Sequence, residues 1–134
     1  MATITATAAR ASVQPKYVEN GVVAVSCEWT ASAALSAGDV IQMCKVPSGA
    51  KILTTRVGGG SGTGMFELGD GNDVDRYSDS VSWSSAMLPI LCNTVAGIGY
   101  EYTADDTIDF TVATVTTGTA AGTVYLDITY TMDP

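Results

Sequence analysis

Two stretches near the C-terminal end alternate apolar and polar residues with a period of two, and this pattern constrains the fold more than any other feature of the 134-residue chain. In "TIDFTVATV" the alternation places Ile108, Phe110 and Val112 on one face, and in "TVYLDITYTM" it places Val124, Leu126, Ile128, Tyr130 and Met132 on one face. Successive side chains of a strand point to opposite sides, so one side of each arm is built for burial. Joined by "TTGTAAG", the two arms read as a β-hairpin. Upstream, "VVAVSCEW" (22–29) repeats the pattern, with Val23, Val25, Cys27 and Trp29 on the apolar face, where Trp29 reads as core. "VIQMCKV" (40–46) is an apolar run ended by the turn signal "PSG". "KILTTRV" (51–57) follows at once, so the two read as a strand pair. "VGGGSGTG" (57–64) reads as a flexible connection to a short "MFEL" strand, and Pro89 confines "AMLPILC" to a strand edge or an irregular segment. No segment combines a 3.6-residue period with caps over three turns.

Short strands separated by turn signals every ten residues or so predict an all-β protein, a jelly-roll type antiparallel β-sandwich. The length suits a single core. Residues 1–16 are Ala- and Thr-rich with little apolar mass, and they read as an extended N-terminal arm. Residues 17–134 read as the one sandwich domain. Charged residues make up only 15%, against about 25% in an average soluble protein, which suits strands whose surface is covered. "MATITATAAR" has neither the basic nor the apolar region of a signal peptide, and no stretch approaches the ~20 apolar residues of a membrane span.

The net charge of -8 with only six Lys and Arg argues against a nucleic-acid partner. The signs are unevenly placed. Residues 1–56 hold five bases and three acids, whereas residues 57–134 hold Arg76 against eleven acids, a polarity suited to orienting the molecule on a charged partner. Cys27 and Cys44 lie in apolar runs and read as small buried hydrophobes. With Cys92 they form no metal-ligand spacing, and this usage fits a reducing compartment better than secretion.

The acids concentrate in "ELGDGNDVDRY" (67–77). An EF-hand loop starting at Asp70 fails, because its fifth and sixth positions are Val74 and Asp75. Gly69, Gly71 and Asp73 match the GxGxD core of a calcium β-roll in a single copy, whereas such sites form between stacked repeats. Asp70, Asn72, Asp73 and Asp75 are the Ca²⁺ ligands such a site would use. The competing reading is a tight turn: Gly69 and Gly71 supply positive φ, Asp70, Asn72 and Asp73 bond their own backbone, and Arg76 neutralises Asp73 or Asp75. The chain has no histidine, hence no usual base for a Ser or Cys nucleophile. It has no GxSxG or P-loop motif, and Asp105 and Asp106 are consecutive, so their side chains diverge in extended chain. The sequence therefore predicts neither an enzyme nor a cofactor. Arg10, Lys16, Tyr77, Trp83, Tyr100 and Tyr102 are the residues suited to an interface or to stacking on a sugar.

An ordered set of phrases, "VPSGAKIL", the glycine-rich turn, "FELGDGNDVDRY" and "YEYTADDTIDFTVATVTTGTAAGTVYLDITYTMD", resembles the jelly-roll cement or head-decoration proteins of tailed bacteriophages over roughly residues 40–134. The resemblance implies an eight-stranded jelly roll, a homodimer or homotrimer, that binds the major capsid protein on the outer capsid surface and bridges capsomers. It would be assembled in the bacterial host cytoplasm, with no nucleic-acid or membrane partner. The alternative on the same frame is a glycan-binding module of a phage fibre or spike, using Trp83 and nearby tyrosines.

Overall fold

The computed structural model describes residues 2–5, 21–30, 35–61, 64–82, 88–90, 94–115 and 121–132. Among them are nine strands and no helix: β1 (Thr3–Thr5), β2 (Val22–Thr30), β3 (Val40–Val46), β4 (Ala50–Ser61), β5 (Gly64–Asp70), β6 (Ser78–Ser82), β7 (Leu88–Ile90), β8 (Asp106–Val115) and β9 (Ala121–Met132). They form a five-stranded sheet in the order β1-β3-β8-β5-β6 and a four-stranded sheet in the order β2-β9-β4-β7. From β2 onward the chain changes sheet at every step except β5 to β6. That is jelly-roll connectivity, and the expected all-β sandwich is the observed architecture.

The alternating faces are buried as their pattern requires. Ile108, Phe110 and Val112 meet Val124, Leu126, Ile128 and Tyr130 in one core, joined by Val23, Ile41, Ile52, Val57, Phe66 and Leu68. Each fully buried Leu, Ile or Phe contributes roughly 1.5–3 kcal/mol. Trp29 is half-buried against this core. Pro89 lies on β7, an edge strand, where its missing N–H leaves no gap in a central ladder.

Three expectations about connections are overturned. β8 and β9 are not a hairpin: β8 pairs with β3 and β5, whereas β9 pairs with β2 and β4. Their apolar faces look at each other across the sandwich instead of lying side by side. For the same reason β3 and β4 are not a strand pair, since the Pro47–Gly49 turn carries the chain from one sheet to the other. Nor is the start of the glycine-rich segment a flexible connection. Val57, Gly58 and Gly59 continue β4, opposite Leu126, Tyr125 and Val124.

Bulges decide which residues point inward. In β3 the register shifts between Gln42 and Cys44, so Met43 is an extra residue, and both Met43 and Cys44 are fully buried. Cys44 is bonded to Cys27 of β2, with the two Cα atoms 6.0 Å apart. The two cysteines are buried, but as a disulfide tying one sheet to the other, not as separate thiols. Their usage therefore no longer favours a reducing compartment, because disulfides persist where the surroundings are oxidising. Closing a loop of this length is worth about 3 kcal/mol in the chain-entropy account. A second bulge between Ile52 and Thr54 of β4 turns Leu53 outward, where it is exposed.

Residues 2–5, the described part of the N-terminal arm, dock on the domain itself. β1 runs parallel to β3, pairing Thr3 with Val40 and Thr5 with Gln42, and so covers an edge that would otherwise offer free backbone groups. Asp39 secures this start by accepting hydrogen bonds from the N–H groups of Ser36 (2.8 Å) and Ala2 (3.0 Å). Those two bonds hold its carboxyl below the usual carboxylate range.

Candidate functional site

The turns β3–β4 and β5–β6 and the segment 94–105 ahead of β8 meet at one end of the sandwich. Ser48 N–H donates to Asp105 Oδ1 (2.9 Å), Gly49 N–H to the Tyr102 carbonyl (2.6 Å), and Asn72 Nδ2 to Asp106 Oδ2 (3.4 Å). Asp73, Asp75, Glu101 and Asp105 lie in these loops, with Asp70 and Asp106 at the adjoining ends of β5 and β8, so part of the charge polarity of the sequence becomes an acidic end of the molecule.

Asp70 organises that end. Its Oδ1 accepts the N–H groups of Asn72 (3.0 Å) and Asp73 (2.9 Å), the pattern by which an Asp side chain builds a turn. Its Oδ2 accepts Arg76 Nε at 2.5 Å and the Tyr102 hydroxyl at 3.0 Å. Because that hydroxyl's proton is directed to the carboxylate, Tyr77 Oη donates to Tyr102 Oη across 2.6 Å. The chain Tyr77–Tyr102–Asp70–Arg76 is thus a buried polar network with its donors and acceptors matched.

Arg76 is 8% exposed and spreads its guanidinium over the Tyr100 ring, 3.6 Å from the centroid. Burial works against its charge. The hydrogen bond and charge of Asp70, with smaller contributions from Tyr100 and Asp73, more than offset this and raise its pKa. Tyr102 is pushed far above the usual phenol range, by burial first and then by Tyr77 and Asp70, so it stays a protonated donor.

The loop is a turn, but not by the expected device. Gly69 and Gly71 do not have positive φ. Gly69 is required by space: a Cβ there would lie 2.1 Å from the Asp73 carbonyl oxygen and 2.4 Å from the Val74 carbonyl carbon, because the loop folds back over it. The principal partner of Arg76 is Asp70, with Asp73 at 3.7 Å as a second. Asp73, one of the two acids expected in this role, is thus a secondary partner, while Asp70 was not expected, since a six-residue separation says nothing until the turn closes.

For Ca²⁺ the arrangement is unfavourable. The oxygens of Asp70 face backbone N–H groups, a hydroxyl and a guanidinium, so Arg76 sits where a cation would bind. Among the described residues no group of three His, Cys, Asp or Glu side chains is placed to hold a metal ion.

Of the interface candidates, Tyr77 and Tyr102 are 0% and 2% exposed, so neither offers a surface to a partner. Their rings fill the end of the core and their hydroxyls serve Asp70. Tyr100 is half-buried, edge-on to Tyr102 with ring centroids 5.1 Å apart. Arg10, Lys16 and Trp83 lie outside the described residues. Beside Tyr100 is a pocket of about 240 Å³ lined by Gly71, Asn72, Thr103, Asp105 and Asp106 among others.

Sequence reasoning missed Asp109. On β8, opposite Gly69, it is 3% exposed, and its Oδ1 has no hydrogen-bond partner. Burial pushes its carboxyl up to about 7, and the charges of Asp106 and Asp70 add to the effect, while a Thr107 hydrogen bond opposes it. The only signal in the sequence is an Asp between Ile108 and Phe110, on the face assigned to solvent.

No protein-family model and no curated protein matches the sequence. Solved structures share the fold. A chain in the capsid of Ralstonia phage GP4 has a TM-score of 0.79 at 18% identity, covering 98% of this chain and 99% of that one. A chain in the capsid asymmetric unit of cyanophage Pam1 has a TM-score of 0.64 at 18% identity, covering 93% and 96%. One in the acidic stable capsid of Helicobacter pylori bacteriophage KHP30 has a TM-score of 0.53 at 15% identity, covering 86% and 90%.

Proposed function

We propose that this chain is a structural protein of a phage virion, a cement or decoration protein that binds the outer surface of the major capsid shell, bridges capsomers and stabilises the head. The observation that carries this reading is the end-to-end correspondence of its fold with a chain of a phage capsid. The mechanism is burial repeated over a shell. Contacts of about 800 Å² per partner, each modest, together resist internal pressure. Copies of the protein associate as a dimer or trimer, and the reading assigns no catalysis, nucleic acid or membrane. Assembly takes place in the bacterial host cytoplasm, and a released particle meets an oxidising exterior in which the Cys27–Cys44 bond persists.

The test is to add purified protein to empty, expanded capsids that lack it, then to measure decoration by sedimentation and rupture by thermal melting. Decoration with a raised rupture temperature is the expected result. A protein that neither binds nor stabilises the shells would end the reading.

The glycan-binding alternative rests on Trp83, which lies outside the described residues, and on nearby tyrosines, of which Tyr100 stands beside the pocket. Asp105 accepts from Ser48, Asp106 accepts from Thr107 and Asn72, and one face of Tyr100 carries the Arg76 guanidinium, while Tyr77 and Tyr102 are buried. Tyr77 and Tyr102 thus offer a sugar no ring face, and the correspondence with a phage capsid chain supports the capsid reading.

A further inference from the structure

We infer that the turn 94–100, with Val95 and Ile98 at its crest, is the face by which this protein docks on a basic protein surface, an apolar recess bordered by Lys or Arg. The inference rests on the capsid-binding reading and names the contact within it.

Val95 is 90% exposed and Ile98 69%, on a turn made by Gly97 N–H donating to the Thr94 carbonyl and Tyr100 N–H to the Gly97 carbonyl. Two aliphatic side chains bare to this degree within four residues are not explained by folding, because neither contributes to the core. The crest is also firmly mounted. Thr94 Oγ1 donates to the Arg76 carbonyl, and Tyr100 lies under the Arg76 guanidinium, which Asp70 holds in turn. Both ends of the turn are therefore anchored to the buried network, and little freedom remains to be lost on docking. Val74, 45% exposed, lies in the adjoining β5–β6 turn.

Charge selects the partner. A side-chain hydrogen bond with Asp73, then burial and the negative charges of Asp73 and Asp79, hold the Asp75 carboxyl above its ordinary range. Asp73 and Asp75 lie in the turn that carries Arg76, whose carbonyl Thr94 binds. The Arg76 guanidinium is held first by Asp70 and only at 3.7 Å by Asp73, so among the described residues acids outnumber bases beside the crest. A second copy presenting the same end would bring like charges together, and nucleic acid or an anionic surface would be repelled. Val95 and Ile98 offer a sugar neither a hydrogen bond nor a ring. A cationic, partly apolar protein surface satisfies both the bare aliphatics and the acids of the adjoining β5–β6 turn.

The experiment measures binding to empty, expanded capsids for the wild type, for V95S/I98S, and for L53S/Y125S, which alters the exposed outer face of the four-stranded sheet. V95S/I98S is expected to weaken binding roughly tenfold or more with an unchanged melting temperature, and L53S/Y125S to bind as the wild type does. Wild-type affinity is expected to fall as salt rises. Undiminished binding by V95S/I98S, or a loss confined to L53S/Y125S, overturns the inference while leaving the capsid reading in place. A lowered melting temperature of V95S/I98S would show a structural role and overturn it too. A wild type that does not bind at all removes the capsid reading and this inference with it.

Discussion

The β5–β6 turn and the β8–β9 connection both join strands of alternating pattern, yet the first reverses the chain within one sheet and the second leads to the opposite sheet. The difference lies in what specifies each. At β5–β6 the turn carries its own instructions: Asp70 receives the N–H groups of Asn72 and Asp73, Arg76 closes on the same carboxylate, and Tyr77 N–H returns to the Leu68 carbonyl. β8 and β9 are instead placed by their partners. Each is an interior strand, β8 the third of five and β9 the second of four, flanked on both sides, and each buries its apolar face against the other sheet. One connection is decided locally by side-chain chemistry, the other globally by strand competition.

The largest expected effect comes from breaking the local specification. Arg76→Ala leaves the Asp70 carboxylate buried without its counter-ion and should cost about 3–5 kcal/mol, read as a lower denaturant midpoint. Asp70→Asn added to that variant should recover part of the loss. A cost under 1 kcal/mol would mean that the network does not hold the turn.

Asp109 stands where the two regions meet, on β8 and opposite Gly69 at the foot of the turn. Its folded pKa of about 7 lies above the ordinary carboxylate value, so the folded state resists its ionisation. The resulting penalty is absent at pH values where both states are protonated, grows between about pH 4 and 7, and is constant above. Asp109→Asn should therefore raise stability at pH 8 by up to about 4 kcal/mol and leave it nearly unchanged at pH 4. Equal effects at both pH values would show that Asp109 is not a buried titrating acid.

The smallest effects separate the two connections directly. Two glycines inserted after Asn72 should cost about 2 kcal/mol or more, because they part Asp70 from the N–H of Asp73 and from Arg76. The same insertion after Gly118 should cost well under 1 kcal/mol, the entropy of a slightly longer closure. Equal costs would erase the distinction.

Faces were legible in the sequence because a period of two is a property of a single strand. The burial of Val23, Cys27, Ile108, Phe110, Leu126 and Tyr130 follows from it. The reversal at 67–77 was legible because its Gly, Asp and Asn residues act on their own neighbourhood. Partners were not legible. Nothing in "TIDFTVATV" or "TVYLDITYTM" distinguishes two strands side by side from two strands face to face, because both arrangements bury the same alternate residues. The bulges at Met43 and Leu53, the Cys27–Cys44 bond and the inward turn of Tyr77 and Tyr102 depend on which strand lies opposite. So does the burial of Asp109 on a face the pattern gave to water, which required the β5–β6 turn to fold back over the sheet at Gly69. Local periodicity and turn chemistry act within a few residues of chain and can be read there. Pairing, burial of polar groups and the meeting of distant loops are settled by competition among all the strands, and only the closed sandwich records its outcome.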